Sequence, residues 1–391
     1  MSIFKTLTKI TLEYHKKNIF IDKSIDDIQD GASQDENFLF FRDGESIKIY
    51  DRVCDHKGGK LSLRGENANC PLHGWNLDLK LGFYTNTRCS KKPILEVNEY
   101  ELDSPIISIP KVSKILNGAD FNSKKNTEVR FLNHACLLFK MGEISFATDP
   151  WLVGSAFCNG WWLKKPTPKD AFDQINNCDF IYISHSHPDH LHKESLKYIR
   201  KDIPILTADF LSGSTKKLLN DYGFTEIFAM DFTTALMDKG SEIFLSVLKS
   251  GDFRDDSGLF LQHGGFKCLL TVDSNYLNFG KFPKVDLLCS SFAGAASGFP
   301  LCFENYTEND KKAVLRRNRN AVKATNTLTL KSTKAKYFMP YASFFSENAK
   351  RDLYIKERNK KNNVDDYKKI CDLNKSKLLN VNDKQFFLFK G

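Results

Sequence analysis

No run of apolar residues in this 391-residue chain approaches the roughly twenty needed to cross a bilayer, so no membrane-spanning helix is expected in it. The first twenty residues lack a long apolar core and a small-residue cleavage site, so they read as ordinary structure and not as a signal peptide. Internal repeats and low-complexity tracts are missing, so nothing in the sequence points to a repeat architecture. Proline is sparse at 12 residues, and the ten cysteines form no compact disulfide pattern in a chain long enough not to need one. Most of the cysteines read as small buried hydrophobes in a reducing compartment, and the expected location is the cytoplasm.

What is present is globular: 41% hydrophobic, 27% charged and rich in Phe, with 32. At ordinary domain sizes the length suggests two or three domains. The net charge of +9 is spread over Lys-rich turns and residues 311–336. Solvated helix faces account for it better than nucleic-acid binding, and attraction of an anionic small substrate is a third reading. No nucleic-acid or membrane partner is expected.

The pattern changes once along the chain. Residues 1–110 carry short alternating segments such as FLFFRD and SIKIYDRVC, punctuated by Gly and Asn, which predicts a small β-domain. Residues 111–127 are polar and irregular and read as a linker. From 128 to 391, apolar strands alternate with helical segments at 169–176, 193–200 and 211–222, and a long charged helix is predicted over 308–331.

Two constellations carry chemistry. The first is VCDHKGGKLSLRGENANCPLHGW, with Cys54 and His56 separated by thirteen residues from Cys70 and His73. A Rieske [2Fe–2S] centre needs two thiolates on one iron and two imidazoles on the other, and two loops each delivering one Cys and one His meet that need. The rival is a zinc site with two Cys and two His, but zinc knuckles pair Cys with Cys and His with His. Respiratory-type Rieske domains carry a further Cys in each loop, joined as a disulfide. The residues after His56 and His73 here are Lys57-Gly58-Gly59 and Gly74-Trp75-Asn76, so that bridge is absent and the centre resembles the low-potential oxygenase type. Trp75 reads as core.

The second is HxHxDH, His185, His187, Asp189 and His190, at the end of the apolar stretch DFIYIS. Residues two apart on extended backbone point the same way, so His185 and His187 can share one metal while Asp189 and His190 face an adjacent position. The motif is a signature of the metallo-β-lactamase superfamily. Asp273, in LLTVDS, matches that superfamily's bridging carboxylate. The His expected between the motif and Asp273 is missing, Asp252 in SGDFRDD stands near its place, and no His follows His263. Two His and one carboxylate form the facial triad of non-haem Fe(II) oxygenases. The expectation is therefore a mononuclear iron on His185, His187 and Asp252, or on a variant set using Asp189, His190 and Asp273. His134 either faces this site or is structural, and Asp149 is expected to fix a loop beside it. His15, His192 and His263 read as surface or loop residues.

A Rieske domain followed by a metallo-β-lactamase-type domain resembles the CMP-N-acetylneuraminate hydroxylase family. The stretches ATDPWLVGSAFCNGWWLKK, YISHSHPDHL, LLTVDS, SSFAGAASGFP and MPYASFF follow that family's order across nearly the whole chain. The resemblance implies an α+β chain, an all-β Rieske domain followed by an αββα sandwich. It implies a monooxygenase that inserts one atom of O2 into the N-acetyl methyl of CMP-N-acetylneuraminate or a related CMP-nonulosonate. Electrons would come from NAD(P)H through a reductase and a b-type cytochrome or ferredoxin. An N-oxygenase of a small amine and a metal-dependent hydrolase are the alternatives. For a nucleotide substrate, Trp161, Trp162 and Lys164 suit stacking and phosphate contacts, or else close the domain as an aromatic cluster. Ser291 and Ser297 lie in a small-residue loop that can bring backbone N–H groups to phosphate.

Overall fold

The structure, a computed structural model, describes all residues except 1–2, 13, 25–26, 37, 53, 56–59, 72–73, 88, 92, 99–105, 115, 117, 211, 252–253 and 295–297. The chain divides into two compact units, residues 14–113 with 252–255, and residues 1–13 with 114–251 and 256–391. Among the described residues no helix is long and apolar enough to cross a membrane.

The smaller unit is all-β. Alternation in FLFFRD and SIKIYD makes the antiparallel pair Phe38–Asp43 and Ser46–Asp51, turned at Gly44, whose φ of +60° suits a residue without Cβ. Gly31–Gln34 and Leu95–Asn98 complete a four-stranded sheet. A second four-stranded sheet, Ser62–Arg64, Asn67–Asn69, Asn76–Asp78 and Phe83–Tyr84, flanks the two loops that carry Cys54 and Cys70.

The larger unit is two sheets packed face to face with helices outside, as expected of an αββα sandwich. One has eight strands, in the order Thr8–Thr11, Thr234–Asp238, Ile243–Lys249, Ser257–His263, Phe266–Val272, Leu287–Ser290, Tyr337–Pro340 and Lys377–Leu378. The other has seven: Ile227–Met230, Ile205–Ala208, Phe180–Tyr182, Ile144–Thr148, Cys136–Met141, Asn126–Asn133 and Phe386–Lys390. Strand alternation decides which face each residue serves. Val129, Phe131, Leu137, Phe139 and Met141 enter the core between the sheets, whereas Leu132, Cys136 and Ile181 turn to the layer beneath Ala171–Asn176, Lys193–Leu196 and Ser214–Asp221. Phe139, Phe146 and Phe180 stack in parallel across three neighbouring strands, with centroids 4.8 and 4.7 Å apart. Each such ring contributes about 1.5–3 kcal/mol of burial. The charged helix runs Glu308–Thr333, capped by Thr307, whose Oγ1 accepts from Asp310 N, and its buried residues include Leu315, Asn326, Leu330 and Thr333.

Two features depart from the sequence reading. Residues 1–13, grouped there with the β-domain, pack on the larger unit, because Thr8–Thr11 pairs antiparallel with Thr234–Asp238 and covers an otherwise open sheet edge. The stretch 111–127 is not a free linker. It begins in the strand Ile106–Lys114 and ends in Asn126–Asn133, and between them the buried Gln262 side chain accepts from Ala119 N at 2.9 Å and donates to Ala119 O at 3.0 Å.

Candidate metal centres

In the smaller unit, Cys54 and Cys70 are both buried, and no disulfide joins any of the ten cysteines. Cys70 is set by a tight turn in which its N–H donates to Trp75 O at 2.7 Å and its carbonyl accepts from Gly74 N at 2.9 Å; Gly74 has φ +70°. His56 and His73 lie outside the described residues. Two buried thiols on two turns are the donors that one iron of a [2Fe–2S] cluster requires.

In the larger unit, parallel strands deliver the second site from their C-terminal ends. Ile144–Thr148 leads into Asp149, Phe180–Tyr182 into His185–His190, and Phe266–Val272 into Asp273. His185 Nε2 and His187 Nδ1 are 2.8 Å apart, and Asp256 Oδ1 lies 3.7 Å from His185 Nε2. These three form one ligand-competent set. His190 Nε2 lies 3.4 Å from Asp189 Oδ2 and 3.5 Å from Asp273 Oδ2. His134 Nε2 approaches Asp189 Oδ2 at 3.1 Å, so His134, Asp189 and His190 form a second set, and His185, His190 and Asp273 a third that spans the first two. Asp252 lies outside the described residues; Asp256 is the carboxylate that accompanies His185 and His187.

Asp149 organises both halves. One oxygen accepts from Ser184 N at 2.7 Å; the other accepts from Ser184 Oγ at 2.7 Å and from His190 Nδ1 at 3.0 Å. Ser184 Oγ in turn accepts from His185 Nδ1 at 2.9 Å. Both imidazoles thus spend Nδ1–H on this network and turn Nε2 to the centre, the carboxylate–histidine arrangement that orients a metal ligand. Backbone strain accompanies it. His134 and Asp149 have φ of +40° and +35°, a region L-residues adopt only where surroundings enforce it.

The electrostatics call for a cation. Asp149, Asp189, Asp256 and Asp273 converge on four imidazoles, and all but Asp273 among the carboxylates are almost fully buried. Burial opposes charge on His190, yet Asp189 and Asp149 outweigh it and hold the imidazole well above its usual range. Burial likewise raises Asp189, but His190 and His134 pull it well below the usual carboxylate range. Even so, His190 Nε2, His134 Nδ1 and Asp189 Oδ1 are buried without a hydrogen-bond partner. Buried donors of this kind fit a metal better than an apolar core does. His187 and Asp273, both partly exposed, mark the open side.

Of the residues singled out for substrate, Trp161 belongs to an aromatic cluster that reaches His187. Trp161 stacks on Phe345 at 3.7 Å and meets Phe157 edge-on at 4.3 Å, and Phe157 is 6.3 Å from His187. Lys361 Nζ lies 3.9 Å from the Phe345 centroid and pairs with buried Glu347. Trp162, on the short strand Trp161–Leu163, is exposed and its indole donates to Asn159 O, while Lys164, just past that strand, is also exposed. Ser291 Oγ is bonded to Ser343 Oγ at 2.9 Å, and Ser297 lies outside the described residues. The sequence reading missed Asp256, Phe157, Phe345 and Lys361. It also read His192 and His263 as surface or loop residues; both are buried, and His263 ends a strand. His192 Nδ1 caps Lys193–Leu196 by accepting from Ser195 N, and His263 Nδ1 is 2.9 Å from Thr127 Oγ1. His15 has no described side chain.

Residues 21–101 match the Rieske [2Fe-2S] domain family, and residues 128–243 match the Beta-lactamase superfamily domain. The chain is similar to the cytidine monophosphate-N-acetylneuraminic acid hydroxylases of Mus musculus (31% identity over 350 residues, 84% of this chain and 60% of the relative) and Xenopus laevis (31% over 359 residues, 84% and 58%). It thus spans about 60% of the length of the curated relatives it matches. Among solved structures, it is similar to an isothiocyanate hydrolase from Delia radicum gut bacteria (14% identity, TM-score 0.48, covering 68% of this chain and 100% of that one). It is also similar to CmlA, a diiron beta-hydroxylase from Streptomyces venezuelae (13%, TM-score 0.45, 88% and 69%).

Proposed function

We propose that this chain, a Rieske domain joined to a metallo-β-lactamase-type domain and similar to CMP-N-acetylneuraminic acid hydroxylases, is an iron-dependent monooxygenase acting on CMP-N-acetylneuraminate or a related CMP-nonulosonate. The observation that carries the proposal is the pairing, in one chain, of a Rieske domain with a buried carboxylate–imidazole centre. The ligand sets support two adjacent non-haem irons rather than one. His185, His187 and Asp256 would hold the first, His134, Asp189 and His190 the second, and Asp273 would serve both.

Bound irons would supply O2 activation, and a bound cluster would supply single electrons from an external electron-transfer protein. One oxygen atom enters the methyl C–H bond and the other leaves as water, consuming two electrons and two protons. The chain's own residues supply the rest. Asp149 and Ser184 orient His185 and His190. His187 and Asp273 leave the centre open on one side for the acyl methyl. Phe157, Trp161 and Phe345 wall that side with apolar surface that excludes water, and the Lys361 ammonium beside Phe345 favours an anionic substrate.

The test is anaerobic purification with iron and acid-labile sulfide analysis, followed by mass spectrometry of CMP-N-acetylneuraminate incubated with O2 and reductant. The expected result is a Rieske-type spectrum, iron in excess of the cluster, and a product heavier by one oxygen only when both O2 and reductant are present. Tightly bound zinc with no cluster signal, or turnover without O2, would overturn the proposal in favour of a hydrolase.

A further inference from the structure

The two loops of the Rieske domain carry no disulfide between them, so something else must hold them in register. Asp55 lies between Cys54 and His56. Its backbone N–H donates to Tyr84 Oη at 3.1 Å, and the same phenol donates back to Asp55 Oδ2 at 3.0 Å. The other carboxylate oxygen accepts from Lys91 Nζ at 3.1 Å, and that ammonium, itself only 4% exposed, also donates to Asp51 Oδ1 at 3.1 Å. A buried lysine is costly unless it is paired, and here both of its carboxylate partners lie on the segment that leads into the first loop. Tyr84 also faces the second loop. Its ring, fully buried, meets Trp75 edge-on at 4.9 Å, and Trp75 O accepts from Cys70 N. Burial and the adjacent Asp55 carboxylate push the Tyr84 phenol far above its ordinary value, so it remains a neutral donor.

We propose that Tyr84, anchored through Asp55 and Lys91, is a positioning residue: a non-covalent tie between the two ligand loops, in the place where other Rieske domains use a disulfide. It governs how firmly the cluster is retained and the potential at which it works. The proposal rests on the Rieske reading of Cys54, His56, Cys70 and His73.

The test uses the full chain with its cluster. Tyr84→Phe keeps the ring against Trp75 and deletes only the hydroxyl. Tyr50→Phe is the control, since Tyr50 Oη, also buried in this unit, donates to Leu79 O, a carbonyl outside both loops. Two quantities are read: the rate at which the visible cluster absorption bleaches in excess chelator, and the midpoint potential. Hydrogen bonds to a charged group of this kind support an increase of about tenfold in the bleaching rate of Tyr84→Phe. Its potential should move downward, because a less compensated Asp55 disfavours the added electron, while Tyr50→Phe follows wild type in both. Asp55→Asn, at a partly exposed position, carries the test if Tyr84→Phe does not fold, and should bleach faster as well. Bleaching and potential unchanged from wild type in the folded variant overturn the tie but leave the Rieske reading intact. A wild-type chain with no [2Fe–2S] signal overturns both.

Discussion

Replacing Asp256 by Asn tests the composition of the proposed iron centre most directly. The carboxylate is 2% exposed and stands 3.7 Å from His185 Nε2. If it is a ligand, its loss leaves His185 and His187 as the remaining members of that set, while Asp189, His190 and Asp273 are untouched. Loss of an outer-shell partner costs about 10–100-fold in metal affinity, so loss of a direct ligand should cost about 100-fold or more. Iron per chain should then fall from about four to about three, counting two in the cluster, with acid-labile sulfide unchanged at about two. Unfolding cannot imitate this result. The substitution removes one of several negative charges gathered in a buried site, so the metal-free variant should be at least as stable as metal-free wild type. The assay is elemental and sulfide analysis after gel filtration, with urea denaturation of both metal-free proteins. Asp252→Asn is the decisive comparison, because SGDFRDD offered that residue for the same role. Full iron in Asp256→Asn together with loss of iron in Asp252→Asn would refute the assignment.

Three further outcomes follow from contacts elsewhere. Asp149→Ala, which frees the Nδ1 atoms of His190 and, through Ser184, of His185, should weaken iron binding by about 10–100-fold in a chelator competition without removing a ligand. Gln262→Ala strips the partners from Ala119 N, Ala119 O and Gly264 O and should lower unfolding stability by about 2 kcal/mol in urea, with iron content unchanged. Burial lowers His263 to about 4, so the folded chain keeps it neutral where the unfolded chain protonates it near 6.5. Its contribution, at most about 3 kcal/mol, is complete above pH 6.5 and lost as pH falls towards 4; His263→Gln should flatten that limb in denaturation series at pH 7.5, 5.5 and 4.5, and a parallel limb would refute the assignment.

The parts of this molecule that were legible in the sequence are those whose geometry is set by a few consecutive residues. HxHxDH places four donors by local backbone alone, and Cys54 and Cys70 sit on turns that their glycines and flanking β-alternation announce. Sheet alternation pointed to the strands, and a run of charged residues predicted a helix over 308–331 that is observed as Glu308–Thr333. What escaped was decided by strand register. In SGDFRDDSG three carboxylates compete, and only the pairing of Ser257 with Lys249 identifies Asp256 as the residue delivered at the strand's mouth. The HGG turn made His263 look exposed, yet its strand is covered on both faces, and the imidazole finds Thr127 136 residues away. Residues 8–11 show the same limit: four residues of strand pattern say that an edge will be covered, not which one.

The register dependence bears on how the centre is kept specific. His185 and His190 belong to one short loop, but the carboxylates that complete their sets, Asp256 and Asp273, come from neighbouring antiparallel strands of the opposite sheet. The metal donors therefore converge only once both sheets are packed, with the Phe139–Phe146–Phe180 stack between them. Asp149 ties this convergence to chemistry: at the end of a strand in one sheet, it orients both imidazoles that face the carboxylates of the other. Binding energy for a metal held there would thus also be packing energy for the sandwich, and a chain that fails to pair its sheets correctly would have no site to load.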